Sequence, residues 1–295
     1  MLRFTRRLSS GYRGTLLVVC LATVSVFIIL YVIRRAGSGD TLPASVRIGY
    51  SPEPPFSFRT PNGQASGEAP EVARAVLRRV GVRNVEWVQT DFGLLIPELL
   101  SGRIDMIAAG MFITAGRARL VSFSRPTLAL RQSLLVKRGN PKQIHRYEDF
   151  AERRDLKLCV LKGAIEHSVA VALHVPEDRM MLAPDAQTGV VAIQSGAVDG
   201  LALSSPSIHN LGAAVSKMDL AVATPFLEPS AHGVPMRNFS AFAFRPSDTV
   251  LRDRIDAQLE KFIGTSEHLA VIGPFDFGPG DLPGKITVAQ VLARP

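Results

Sequence analysis

One alternation occurs twice along this chain, and it restricts the fold more than any other feature. Residues 46–50 (VRIGY) alternate and are rich in β-formers, so they read as a strand. Residues 51–61 hold four prolines and must be a loop. Val72, Val76, Leu77 and Val80 recur at helical spacing, and Gly81 stops that helix. A strand at 85–88, a short helix at 94–100 ended by Ser101-Gly102, and an apolar strand at 105–109 follow. Strand–helix–strand–helix–strand is the order of a parallel α/β sheet. The order then restarts: strand 156–161, helix 165–173, strand 180–182, helix 188–195, strand 198–203. Two such units imply two lobes. A last strand at 239–244 precedes an amphipathic helix whose apolar face is Leu251, Ile255, Leu259 and Phe262. The final 20 residues are rich in Gly and Pro and read as a tail wrapping the surface.

Charge matters at the amino terminus. The 295 residues carry 34 Lys+Arg against 26 Asp+Glu, a net +8. Six arginines and no acid fall within residues 1–35, so the other 260 residues carry only +2. The basic excess is therefore no nucleic-acid footprint, and no nucleic-acid partner is expected. Residues 15–33 form a run of 19 without a charge, about 28 Å as a helix at 1.5 Å per residue, against a hydrocarbon core of about 30 Å. The run exceeds a secretory h-region of roughly 7–15 residues. It ends at Arg34-Arg35 with no Ala-x-Ala site, and Cys20 follows a bulky Val19, unlike a lipoprotein cleavage site. The expectation is an uncleaved membrane anchor, with a cleaved signal and a soluble periplasmic domain as the alternative. Four arginines before the span and two after it place the amino terminus in the cytoplasm and the rest outside. Residues 1–40 are thus read as cytoplasmic stub, transmembrane helix and tether. Cys159, beside Val160-Leu161, reads as a buried strand thiol.

Catalytic signatures are absent from the sequence: no G-x-S-x-G, no P-loop, no G-x-G-x-x-G after a strand, no C-x-x-C. The six histidines are scattered, so no metal or other cofactor is expected. Open α/β sheets bind ligands at the carboxyl ends of their strands, which directs attention to the loops there. After the first strand come Glu53 and Phe56; before the second helix, Asp91 and Phe92; after the third strand, Gly110, Phe112, Thr114 and Arg117. Taken singly, each phenylalanine has an equal reading as core, Arg117 as a solvated helix-start residue, and Glu53 as a cap. Together in three successive loops they bring aromatic faces, one carboxylate and one guanidinium to one edge of one lobe.

The stretches GEAPEVARAV (67–76), LIPELLSGRID (95–105), AAGMFITAGR (108–117) and FSRP (123–126) resemble the extracytoplasmic solute-binding proteins of polar amino acid ABC transporters. The resemblance covers about residues 45–275 and is most specific at 110–117. EPPF (53–56), TDFG (90–93), AGMFIT (109–114) and PDAQTG (184–189) are most similar to the ectoine/hydroxyectoine-binding branch.

The resemblance implies an α/β fold of the two-lobed periplasmic binding protein type II, or Venus flytrap, class, preceded here by one transmembrane helix. Lobe 1 would comprise 45–134 and 236–274, lobe 2 would comprise 135–235, and 275–295 would be a tail. Crossover strands near 133–137 and 235–241 would form the hinge. It implies a non-enzymatic binder of a small zwitterion, with an ABC permease as partner. Arg117 matches the arginine that forks the ligand carboxylate, a contact suited to a planar guanidinium. Thr114 and the backbone of Gly110 match positions that support the same ligand in the family the chain resembles. Gly163-Ala164-Ile165-Glu166 matches a helix start where backbone N–H groups hold the carboxylate, and the family hydroxyl is missing at Ala164 and Ile165.

Ordinary amino-acid binders place an Asp where this chain has Ser204-Ser205, so a compact ammonium lacks its partner. A cyclic amidinium would instead lie against Phe56, Phe92 and Phe112, with its N–H groups reaching Glu53 and Asp185. Asp185 reads equally as a helix N-cap. The rivals are a binder of another polar amino acid or compatible solute, and a periplasmic prephenate/arogenate dehydratase-like enzyme on the same fold, with Glu53 or Glu166 as its acid.

Overall fold

The computed structural model describes residues 42–294 apart from 216–218, 232–233 and 236–237. The expected membrane helix and tether lie outside the described residues. Among the described residues no helix is long and apolar enough to cross a membrane.

The first α/β unit forms as the periodicity predicts. Strand β1 (Ser45–Tyr50) is followed by helix α1 (Glu68–Val80), β2 (Asn84–Gln89), α2 (Leu95–Leu100) and β3 (Met106–Ile107). Val72, Val76 and Leu77 of α1 are buried, and Gly81 closes the helix in the left-handed conformation, φ 89°. Strand β3 is shorter than the apolar run 105–109, although Asp105 N–H and Ala108 N–H on either side still donate to Arg47 O and Gly49 O of β1, at 2.7 and 3.0 Å. Asp105 accepts from Arg47 and Arg245, each at 2.8 Å, and Gly110 turns the chain away at φ 64°. Short helix α3 (Ala115–Ala118) and strand β4 (Ser122–Phe123) complete the unit.

The chain then runs through β5 (Leu128–Leu130) into β6 (Gln132–Lys137), the first strand of the second sheet. That sheet and its helices comprise α4 (Glu148–Glu152), β7 (Leu158–Leu161), α5 (Ile165–Ala172), β8 (Met180–Ala183), α6 (Ala186–Ser195), β9 (Gly200–Ser204), α7 (Ser205–Val215) and β10 (Leu220–Val222). The chain returns through β11 (Asn238–Ser240) and β12 (Ala243–Phe244), then α8 (Thr249–Phe262), α9 (Ser266–Ile272) and, in the tail, α10 (Val288–Leu292).

Two five-stranded sheets result, in the orders β2-β1-β3-β12-β4 and β8-β7-β9-β6-β10. In each sheet the three strands of the βαβ core are parallel, and the strands added by crossing chain are antiparallel to them. The lobes are joined by β5 and β11, which pair antiparallel with Leu130 opposite Asn238 and Leu128 opposite Ser240. Residues 133–137, expected as a crossover, pair inside the second sheet with β9 and β10. The run 239–244 divides between this connection and the first sheet. Phe242 N–H turns aside to the Ser124 hydroxyl at 3.1 Å between the two pieces.

Helix α8 buries Leu251, Ile255, Leu259 and Phe262 as its spacing requires, each worth about 1.5–3 kcal/mol. Cys159 is buried within β7, and burial pushes its thiol up to about 12, so it is inert at neutral pH.

Candidate functional site

The loops after β1, β2 and β3 meet the loops after β7 and β9, with Glu53 on Ser207, Gly93 close to Lys162 and Gly163, and Arg117 on Gly163. The loop after β3 is tied to that connection. Ile113 N–H donates to Phe239 O at 2.8 Å, Ala241 N–H donates to Met111 O at 3.0 Å, and Phe112 bridges Ser240. The loop after β3 is therefore fixed to the strand that connects the two sheets.

Thr114 caps α3: its hydroxyl accepts from Arg117 N–H at 3.2 Å, which orients the short helix and the arginine on it. The Arg117 guanidinium donates to Phe112 O at 2.7 Å in its own lobe and to Gly163 O at 2.6 Å in the other. It lies over the Phe92 ring, 5.4 Å from its centroid. Burial lowers its pKa to about 10, against the raising influence of Glu166 and Glu53, so it stays charged at neutral pH.

Phe56, Phe92 and Phe112 are all buried, at 2, 7 and 7% exposure. Phe56 packs on Gly110, where a Cβ would lie 2.7 Å from the ring. Glu53 turns the loop back by accepting Phe56 N–H on its carbonyl at 3.0 Å, and its carboxylate accepts the Ser207 hydroxyl across the cleft at 2.8 Å. Burial raises Glu53 to about 7, opposed by Ser207 and Arg117. The structure thus brings Glu53, Phe56, Phe92, Gly110, Phe112, Thr114 and Arg117 together.

Ala164 and Asp185 both stand at helix starts of the second sheet's unit. Gly163 meets Arg117 through its carbonyl, as an acceptor, and Ala164 is the N-cap of α5 with no side-chain bond. The lobes touch there: a Cβ on Gly163 would lie 3.4 Å from Gly93 Cα. Asp185 caps α6, accepting Thr188 N–H on Oδ1 at 2.7 Å, which is its cap reading realised.

Two cleft residues were not singled out as ligand contacts. Ser207 lies in the first turn of a helix that begins at a Ser-Pro-Ser sequence, ahead of the apolar positions Ile208, Leu211, Ala213 and Val215. Glu166 is 3% exposed, in the first turn of α5, and burial, then Glu53, raises it to about 8. A carboxylate at N2 of a helix is an ordinary helix-start feature, and beyond that the sequence offers Glu166 only as the acid of an enzyme on the same fold.

The two-sheet fold, the hinge-like connection and a cleft lined by one guanidinium and three aromatic rings define an extracytoplasmic solute-binding protein. Residues 46–270 match the family described as bacterial extracellular solute-binding proteins, family 3, and the chain belongs to it. It is 32% identical over 273 residues to a probable amino-acid ABC transporter periplasmic-binding protein of Sinorhizobium fredii, covering 90% of this chain and 88% of the relative. It is similar to the crystal structure of EhuB in complex with hydroxyectoine, with TM-score 0.77 and 32% identity over 85% of this chain and 95% of that one. It is also similar to an ancestral arginine-binding protein bound to arginine, with TM-score 0.69 and 25% identity over 81% of this chain and all of that one (100%). The chain is a solute-binding component of the amino-acid ABC transporter class, and its working location is extracytoplasmic.

Proposed function

We propose that the solute is a small zwitterion with a delocalised cation, ectoine or hydroxyectoine, captured for an ABC importer. The observation that carries this reading is the Arg117 guanidinium lying over the Phe92 ring and donating to the Phe112 carbonyl, with Phe56 buried on Gly110 of the same loop and Glu53 close enough to act on its charge. Arg117 takes the ligand carboxylate. The rings take the cation, at about 0.5–2 kcal/mol per contact. At the corner where an ammonium-binding Asp would stand, the Ser204 hydroxyl donates to Ser207 at 3.1 Å, and the carboxylate nearest that corner is Glu53, which accepts from Ser207 at 2.8 Å. The hydroxyectoine complex of EhuB supports the same reading through the similarity of the two chains.

Closure takes place about the β5–β11 connection, with Arg117–Gly163 and Glu53–Ser207 as the contacts that join the lobes. Residues 15–33 tether the protein to the inner membrane in this proposal, a cleaved signal being the alternative.

Calorimetry on the purified protein tests the ligand. Ectoine binds, and Arg117→Ala weakens it by about a hundredfold or more, as loss of a charge-assisted contact requires. No heat with ectoine alongside tight binding of a standard amino acid would overturn the assignment. Incubation with prephenate leaves it unchanged; its turnover would replace binding with catalysis.

A further inference from the structure

Where the β5–β11 connection enters the second sheet, one buried polar side chain has no partner. In β6, Gln132, Leu134 and Val136 share a face of the sheet, as alternation requires. Opposite them across the antiparallel pair stand Ser204, Ala202 and Gly200 of β9. Leu134, Val136 and Ala202 pack with Tyr147 and Phe150 in an apolar core. At the end of both strands the row turns polar, as Gln132 and Ser204. That end meets the first lobe: the Ser204 hydroxyl donates to Ser207 at 3.1 Å, and Ser207 donates to Glu53 at 2.8 Å. Directly opposite residues hold their Cβ atoms about 4.5–5.5 Å apart, so the Gln132 side chain starts beside that chain of hydroxyls. Gln132 is 2% exposed, and its amide oxygen and nitrogen are both buried with no hydrogen-bond partner among the described residues. Native folds rarely leave such a group open. Here a donor and an acceptor are open together, so the missing partner is a group that donates and accepts at once.

We propose that Gln132 is a ligand contact that selects for a ring hydroxyl: its amide donates to and accepts from the hydroxyl of hydroxyectoine, and ectoine leaves it open. The inference deepens the zwitterion reading above and rests on it. Ectoine and hydroxyectoine share the carboxylate and the delocalised cation, which Arg117, the rings and Glu53 take. They differ by one hydroxyl, a group with one O–H to donate and two lone pairs to accept. Ser204 and Ser207 are engaged with each other and with Glu53, whereas the Gln132 amide is unengaged. A buried amide that a solute leaves unpaired counts against that solute, so the penalty on ectoine discriminates as much as the bond to hydroxyectoine does. A preference of about tenfold or more follows.

The test is calorimetry of the full-length protein with ectoine and hydroxyectoine, on the natural chain and on Gln132→Met, which keeps the side chain's length and removes both polar atoms. The natural chain binds hydroxyectoine about tenfold or more tightly than ectoine. In Gln132→Met, hydroxyectoine weakens to within about twofold of ectoine, and ectoine binding is unchanged or tighter. The ligand-free variant unfolds at the same or a higher temperature, since an unpartnered amide has been removed. Equal binding of both solutes by the natural chain, as a water trapped on the amide would give, overturns the proposal and leaves the ligand reading standing. A preference that survives in the variant overturns it too. An equal loss for both solutes, with a lower unfolding temperature, would make Gln132 a structural residue and also overturn it. Gln132→Leu supplies the same measurement where the Met variant does not fold. Binding of neither solute overturns both readings.

Discussion

At Gly110 a side chain is excluded twice over. The residue sits at φ 64°, and an added Cβ would stand 2.7 Å from Cγ of Phe56. Gly110→Ala must therefore tilt that ring out of the cleft or distort the loop tied to Phe239. Strain and overpacking together are expected to destabilise the fold by about 1–3 kcal/mol. Ectoine affinity should drop with it, read by thermal unfolding and calorimetry on the same preparation; unaltered affinity would refute the placement of Phe56. The residues legible in advance were those in loops that directly follow strands, Glu53, Phe92, Phe112 and Arg117 among them. Topology alone sends such loops to one edge. Contacts made by main chain or from inside a helix were not legible: nothing in a glycine announces that its carbonyl will hold an arginine, as Gly163 does, and Ser207 looks like any helix-start serine.

The element that ties the site to the far end of the chain is the tail. Past α9 the chain leaves the region of family similarity, which ends at residue 270, and returns to the cleft. Phe275 meets Phe58 edge-on with centroids 6.2 Å apart, and Phe277, 4% exposed, packs on Phe56 at 5.4 Å. Ile286, Val288 and Val291 pack on the core, and Arg294 lies over Phe239, 5.3 Å from its centroid. Phe277→Ala removes the backing of a cleft ring and should cost about 3–5 kcal/mol. A lower unfolding temperature and weaker ectoine binding are expected together, by denaturant titration and calorimetry. Stability lost with affinity intact would separate the tail from the site.

The Gly and Pro content of this tail announced loops and a wrapping path. Its helix α10 is only five residues long, and its one sequence signal is the Thr287-x-x-Gln290 capping box ahead of Val291 and Leu292. The longer elements were legible from their period: α1 and α8 repeat their apolar face over 13 and 14 residues.

For the molecule as a whole, folding brings more protons inside than the unfolded chain holds near neutrality. Glu68, at the start of α1, is fully buried, and neither carboxyl oxygen has a hydrogen-bond partner among the described residues. Burial raises it to about 8. His268 is also fully buried, and burial lowers it to about 4. The signs are opposite. A carboxyl raised on folding contributes stability that is complete below its unfolded pKa, near 4.3, and is lost as pH rises toward its folded value. A histidine lowered on folding costs stability as pH falls below its unfolded pKa, near 6.5. By about pH 7.5 the histidine is largely neutral in both states, and the slope belongs to the raised carboxyls, Glu53 and Glu166 as well as Glu68. Unfolding releases a proton from Glu68, whose own share is a loss of about 1 kcal/mol of stability per pH unit between about pH 6.5 and 7.5. Glu68→Gln keeps the shape and removes the titration, so its urea-unfolding free energy should lose about that much of the slope over the same interval. Parallel slopes for the two proteins would show that Glu68 is ionised in the folded chain.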